Sequence, residues 1–119
     1  MLNCLAIAPD GRRLAEGGVD KMIRIRDAET LEVQRSFRAH DDSVTALAWH
    51  PTQPLLASGS ADLTVKLWDL KTGRCLREIR GVLKPPTSLK FSPSGQHLLA
   101  VADLVVRVWD ITVPAFSRN

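Results

Sequence analysis

His40, Ser58 and Asp62 are the side chains of this sequence whose types could do chemistry together. A histidine, a hydroxyl and a carboxylate can form a nucleophilic triad, in which the imidazole takes the serine proton and the carboxylate orients the imidazole. The local sequence argues against that use. Ser58 stands in the apolar run Leu55-Leu56-Ala57-Ser58-Gly59, which reads as a short strand, with no G-x-S-x-G elbow and no loop to supply an oxyanion hole. Other chemistries find no better footing. His40, His50 and His97 lack metal-ligand spacing, and Cys4 and Cys75 form no C-x-x-C pair. Both cysteines read as reduced, small apolar residues. No G-x-x-x-x-G-K or G-x-G-x-x-G loop is present to cradle a phosphate. The expectation is a protein that is not an enzyme, with no catalytic residue, no metal and no cofactor.

The elements that must hold these residues recur along the chain. Pro9, Pro51 and Pro93 are spaced by 42 and 42 residues, and Asp20, Asp62 and Asp103 by 42 and 41. Asp27, Asp69 and Asp110 keep the same rhythm, the last two preceded by Trp68 and Trp109. A period of this size marks stacked supersecondary units, none able to bury its apolar face alone. The middle copy is the clearest. Val44-Thr45-Ala46-Leu47-Ala48-Trp49 alternates and reads as a strand, and His50-Pro51-Thr52-Gln53-Pro54 as a turn. The short strand around Ser58 follows, then a tight connection at Ser60-Ala61-Asp62. Val65 and Leu67 face one way in the next strand, and Thr64, Lys66 and Trp68 the other. Cys75-Leu76-Arg77-Glu78-Ile79 is a more polar fourth strand, as expected nearest solvent. The third copy has a one-residue deletion near Ala102 and no convincing fourth strand before Asn119.

Composition sets the outer limits. Apolar residues make up 45% and charged residues 24% of the 119, which is ordinary for a soluble globular protein. The formal charge of +3 permits an acidic partner but does not call for nucleic acid, because Asp and Glu are interspersed with the Arg. Arg74, Arg77 and Arg80 read as a solvated strand face. No apolar run approaches the roughly 18 residues of a membrane span. The start lacks the basic and apolar regions of a signal peptide. A cytoplasmic protein with no membrane association is expected.

Three segments carry a family resemblance: Ala39-His40, Leu56-Ala57-Ser58-Gly59-Ser60-Ala61-Asp62 and Val65-Lys66-Leu67-Trp68-Asp69. Through them the chain resembles the WD40 (WD-repeat) family, with Ala39-His40 in place of the usual Gly-His. The resemblance implies an all-β fold of three four-stranded antiparallel blades, the third incomplete, forming part of a β-propeller. The units would span about 1–40, 41–82 and 83–113, with a C-terminal tail at 114–119.

The resemblance also assigns roles. In the family, the positions of His40, Ser58, Asp62 and Trp68 form a structural hydrogen-bond relay within a blade. Their chemistry suits it, since an indole only donates, a carboxylate only accepts, and serine and histidine do both. The first copy has Glu16 and Arg26 at the serine and tryptophan positions, and the third has Val82 and Ala100 at the histidine and serine positions. Only the middle relay is complete, so the outer copies should be less rigid. By position, the partner-binding face would comprise Gly18, Val19, Lys21, Asp41, Asp42, Ser43, Ser60, Ala61 and Leu63.

The implied function is a non-enzymatic scaffold that binds other proteins. Two alternatives stand beside it: a regulatory or sensing segment of a multidomain enzyme, and a nucleic-acid-binding platform, the latter not favoured. Closed propellers have about 4–8 blades, so three do not close a ring. The expected resolutions are a fragment of a longer propeller, which is favoured, a homo-oligomer completing a ring, or a partner supplying the missing blades.

Overall fold

The computed structural model describes residues 2–111. The expected tail at 114–119, and the end of the third unit, lie outside the described residues.

Among the described residues, eleven strands fall into three sheets. The first sheet is the meander β1 (Leu2–Ile7), β2 (Arg13–Gly18), β3 (Met22–Asp27) and β4 (Val33–Arg38). The second is β5 (Val44–Trp49), β6 (Leu55–Ser60), β7 (Val65–Asp69) and β8 (Arg74–Ile79). The third holds, among the described residues, β9 (Ser88–Phe91), β10 (His97–Ala102) and β11 (Val105–Asp110). Every strand pair is antiparallel. The described residues include no helix long and apolar enough to cross a membrane.

Turns form where the sequence places proline, glycine and aspartate. Asp10 and Asp69 each accept a backbone N–H two residues on, from Arg12 and Lys71, at 2.9 Å. Such a bond gives the chain a local partner in place of the ladder, so the strand stops there.

The sheets stack face to face, first on second and second on third. One apolar cluster joins Ala15, Ile23 and Ile25 of the first sheet to Leu47, Leu56 and Trp68 of the second. Another joins Leu55, Ala57, Val65 and Leu67 of the second to Leu89, Leu98 and Ala100 of the third. Because strand side chains alternate, β6 sends Leu56 and Ser58 toward the first sheet and Leu55 and Ala57 toward the third. All six of its residues are therefore buried. Each fully buried Leu or Ile contributes about 1.5–3 kcal/mol. The outer strands β4 and β8 are mostly exposed, in line with the polar fourth strand. Cys75 lies exposed on β8 rather than packed as a small apolar residue, and Cys4 is half-buried.

The contacts between sheets repeat with the sequence period. A Cβ on Gly17 would lie 2.6 Å from Val44, and one on Gly59 would lie 2.9 Å from Pro86. Both pairs therefore need a residue without a side chain. A register shift in β1 leaves Asn3 unpaired, and one in β5 leaves Thr45 unpaired. Each of these bulged residues reaches across to the next sheet. Asn3 Nδ2 donates to the Val44 carbonyl at 3.3 Å, and Thr45 Oγ1 to the Pro86 carbonyl at 2.6 Å.

Candidate functional site: a relay beneath three loops

The backbone brings His40, Ser58, Asp62 and Trp68 together on the side of the second sheet that faces the first. Ser58 sits in β6 and Trp68 in β7, in the register that pairs Leu56 with Trp68 and Ser58 with Lys66. The two side chains meet diagonally, and the Trp68 indole N–H donates to Ser58 Oγ at 2.9 Å. His40 comes from the segment between β4 and β5, with Nε2 2.7 Å from Ser58 Oγ and Nδ1 3.0 Å from Asp62 Oδ2.

Donor and acceptor chemistry fixes the tautomer. Ionised Asp62 can only accept, so His40 carries its hydrogen on Nδ1. Nε2 is then bare and accepts the Ser58 hydroxyl hydrogen, which leaves the Ser58 oxygen to accept from Trp68. Burial pushes the His40 pKa down, against the opposing pull of Asp62, and so favours this neutral form. Ser58 is fully buried, so no substrate can reach its hydroxyl.

Asp62 is the hub. Its Oδ2 also accepts the Asp41 backbone N–H at 3.0 Å. Its Oδ1 accepts the Thr64 N–H at 3.0 Å and the Thr64 hydroxyl at 2.6 Å. Desolvation raises its pKa, but the bonds from Thr64, Asp41 and His40 outweigh that and hold it at about 2. Thr64 is expected from the sequence only on one face of a strand. It belongs to the network, with Oγ1 also 3.1 Å from His40 Nδ1. The signal was present in its position two residues after an aspartate, the spacing of an Asx turn.

The first sheet solves the same position differently. Glu16 and Arg26, read as gaps in the relay, form an ion pair with Arg26 Nε 2.7 Å from Glu16 Oε1. It uses the same diagonal that joins Ser58 to Trp68. Asp20 keeps the turn, accepting the Met22 N–H at 3.1 Å as Asp62 accepts that of Thr64. At the matching positions of the third unit, Val82 before β9 and Ala100 in β10 are buried apolar residues, so among the described residues no histidine–serine pair stands there.

The expected partner face divides by exposure. Val19, Asp41, Asp42 and Leu63 are exposed, and Lys21, Ser43 and Ala61 are partly so. Gly18 and Ser60 are buried beneath them. Ser60 Oγ donates to the carbonyls of Ser43 at 2.8 Å and Asp42 at 3.2 Å, and the Ala61 N–H donates to Ser43 O at 2.9 Å. The Lys21 carbonyl accepts the N–H of Ala39 at 2.9 Å and of His40 at 3.4 Å. The β2–β3 turn, the segment before β5 and the β6–β7 turn are thus tied at one end of the stack. Lys21 and Leu63 occupy the same place in their turns, both left-handed, with φ of 71° and 68°.

His50, expected as a turn residue, also crosses between sheets. Its Nδ1 accepts the N–H groups of Thr52 at 3.2 Å and Gln53 at 3.0 Å, so Nε2 carries the hydrogen and donates to Gly95 O at 3.0 Å. Trp49 makes a matching tie to the first sheet, its indole N–H donating to Ala6 O at 2.8 Å. Among the described residues no group of His, Cys, Asp and Glu could hold a metal ion.

Four-stranded meanders stacked face to face, with a Trp–Ser–His–Asp chain across a blade, define a segment of β-propeller. The chain belongs to the WD-repeat family: residues 31–69 and 73–110 match the model described as WD domain, G-beta repeat. Its fold is similar to the β-propeller domain of Cps50 (Swd1) from Myceliophteria thermophila, with a TM-score of 0.83 and 31% identity. The likeness covers 95% of this chain and 35% of that one. The transcriptional corepressor LEUNIG_HOMOLOG of Arabidopsis thaliana is 36% identical over 111 residues, 91% of this chain and 14% of the relative. The nuclear distribution protein nudF of Aspergillus niger is 36% identical over 80 residues, 65% of this chain and 18% of the relative. The chain thus spans less than a fifth of these two relatives.

Proposed function

We propose that this chain supplies part of a non-enzymatic platform on which another protein docks. The observation that carries the reading is the single network under the three loops. His40 and Asp62 anchor the segment bearing Asp41, Asp42 and Ser43 to the β6–β7 turn, while Lys21 O holds the same segment to the first sheet. Loops fixed on a rigid scaffold present a preorganised surface, which lowers the ordering cost of binding. The exposed carboxylates of Asp41 and Asp42 and the ammonium of Lys21 supply polar contacts at its rim. That one relative is a corepressor and another a nuclear distribution protein fits a fold whose role is set by its partner.

The test replaces Lys21, Asp41 and Asp42 by alanine together. Co-purification of protein partners from cell extract should fall severalfold while the melting temperature stays within a few degrees. Undiminished capture would place the partner surface elsewhere.

A further inference from the structure

The polar relay of the second sheet has an apolar counterpart in the third. Ala102 pairs with Val105 across the β10–β11 turn as Ser60 pairs with Thr64 across β6–β7. The register therefore sets Val82, Asp103 and Val105 where the second sheet has His40, Asp62 and Thr64. Without the relay a cleft of about 210 Å³ remains, lined by Val82, Leu83, Lys84, Ala102, Val105 and Arg107 together with Asp103. Val82 and Ala102 form a buried floor. Around it Leu83 is 76% exposed, and Leu104, at the tip of the same turn, is 96% exposed. Aliphatic side chains so open to water beside an apolar hollow gain by being covered.

The rim is cationic. Lys84 and Arg107 make no ion pair among the described residues, and Asp103 is the one carboxylate lining the cleft. Lys66 of the second sheet, at the position of Arg107, instead donates to Ala39 O at 2.9 Å and lies 3.8 Å from Glu78. Among the described residues, which end before any fourth strand of this sheet, the guanidinium of Arg107 keeps its donors available, and a guanidinium offers a planar fork to a carboxylate.

We propose that this cleft takes one branched aliphatic side chain of an extended peptide, with acidic residues flanking it and facing Lys84 and Arg107. The proposal rests on the platform reading above and names the chemistry of the partner at the third sheet.

The test titrates the full chain, labelled with nitrogen-15, with short synthetic peptides. The first carries a leucine between two glutamates. The second replaces the leucine by serine, and the third replaces both glutamates by glutamine. The first should shift the amides of Leu83, Asp103 and Arg107 saturably. The serine peptide should bind at least tenfold more weakly. The glutamine peptide should bind severalfold more weakly, with little dependence on salt. Leu83→Ser and Arg107→Gln, both at exposed positions, should each weaken the first peptide severalfold with an unchanged circular dichroism spectrum. Equal binding of the glutamine peptide would assign the cleft to a neutral apolar segment and overturn the acidic partner. Shifts confined to other residues, or variants that bind as the natural chain does, would overturn the cleft itself. The Lys21, Asp41 and Asp42 triple variant should bind the first peptide normally. If it alone loses the peptide, the cleft proposal fails while the platform reading stands. If it binds the peptide yet captures protein partners undiminished, the loop face fails while the cleft stands.

Discussion

Asp62 is the residue on which the relay turns, because it accepts from His40, from the Asp41 backbone and twice from Thr64. Removing its carboxylate leaves those donors without their acceptor, at about 1–3 kcal/mol for each that stays buried. Asp62→Ala should lower the melting temperature by several degrees, and an unchanged melt would remove the role. The same network sets a dependence on pH. Burial depresses both His40 and His50 below the ordinary 6.5, so the unfolded chain takes up their protons first as pH falls. Their neutral forms contribute stability above that value, and it is lost progressively below it. The charged groups that act on the His40 ring are Asp62, Lys66 and Glu78. The Asp62 carboxylate, depressed from 3.8 to about 2, contributes stability above 3.8 that is lost as pH falls through about 2. Urea unfolding should show a first decline below about pH 6.5 and a second below about pH 4 that Asp62→Ala reduces but does not remove, because Asp20 and Asp27 are also held below 3.8. A flat profile between pH 7.5 and pH 5 would contradict the neutral histidines.

At the scale of elements, the strands are held in their stack by contacts that recur with the period. Gly59→Ala would drive a methyl to 2.9 Å from the ring of Pro86, where the β6 backbone has no room to yield. The cost should be about 1–3 kcal/mol, as for other overpacked sites, and Thr45→Val, which deletes the bond to Pro86 O, should cost about 1 kcal/mol. If neither shifts the denaturation midpoint, the second and third sheets are not coupled there. These elements show why part of the molecule was legible in the sequence. Proline, aspartate and Trp-Asp at a fixed period located the strands, and the family pattern placed the four relay residues. The bridges between sheets were not legible. Asn3 and Thr45 reach their acceptors only because a bulge turns them out of the ladder, and nothing in their types announces a bulge. Glu16 and Arg26 each depart from the family pattern when taken singly. Their pairing follows from the diagonal across β2 and β3, which depends on register. His50 donates to a carbonyl 45 residues away, a contact that no local spacing encodes.

At the scale of the whole molecule, the described residues form a slab of 37 × 36 × 21 Å whose two outer faces repeat the halves of its internal interfaces. Leu5 and Ile7, at 60% and 63% exposure, stand where the second sheet has Leu47 and Trp49 packed against the first. Val106 and Val108, at 59% and 56%, stand where it has Val65 and Leu67 packed against the third. Such faces invite cover, by further repeats or by a second copy joined head to tail. The third sheet departs from the pattern at the contact that matters most. Gly17 admits Val44 and Gly59 admits Pro86, but the next position in the series is Val101, which would confront Leu2 of a second copy. Thr87, at the place of Asn3 and Thr45, turns back to its own sheet and donates to Val101 O at 3.1 Å. A head-to-tail joint built like the internal ones is therefore obstructed by a side chain and lacks its hydrogen bond. Sedimentation of the chain should show no closed ring of two copies, with only weak, concentration-dependent association through the exposed valines. Val101→Gly should strengthen that association severalfold by restoring the close approach. A stable closed dimer of the natural sequence would show that Val101 is accommodated and that self-association completes the ring.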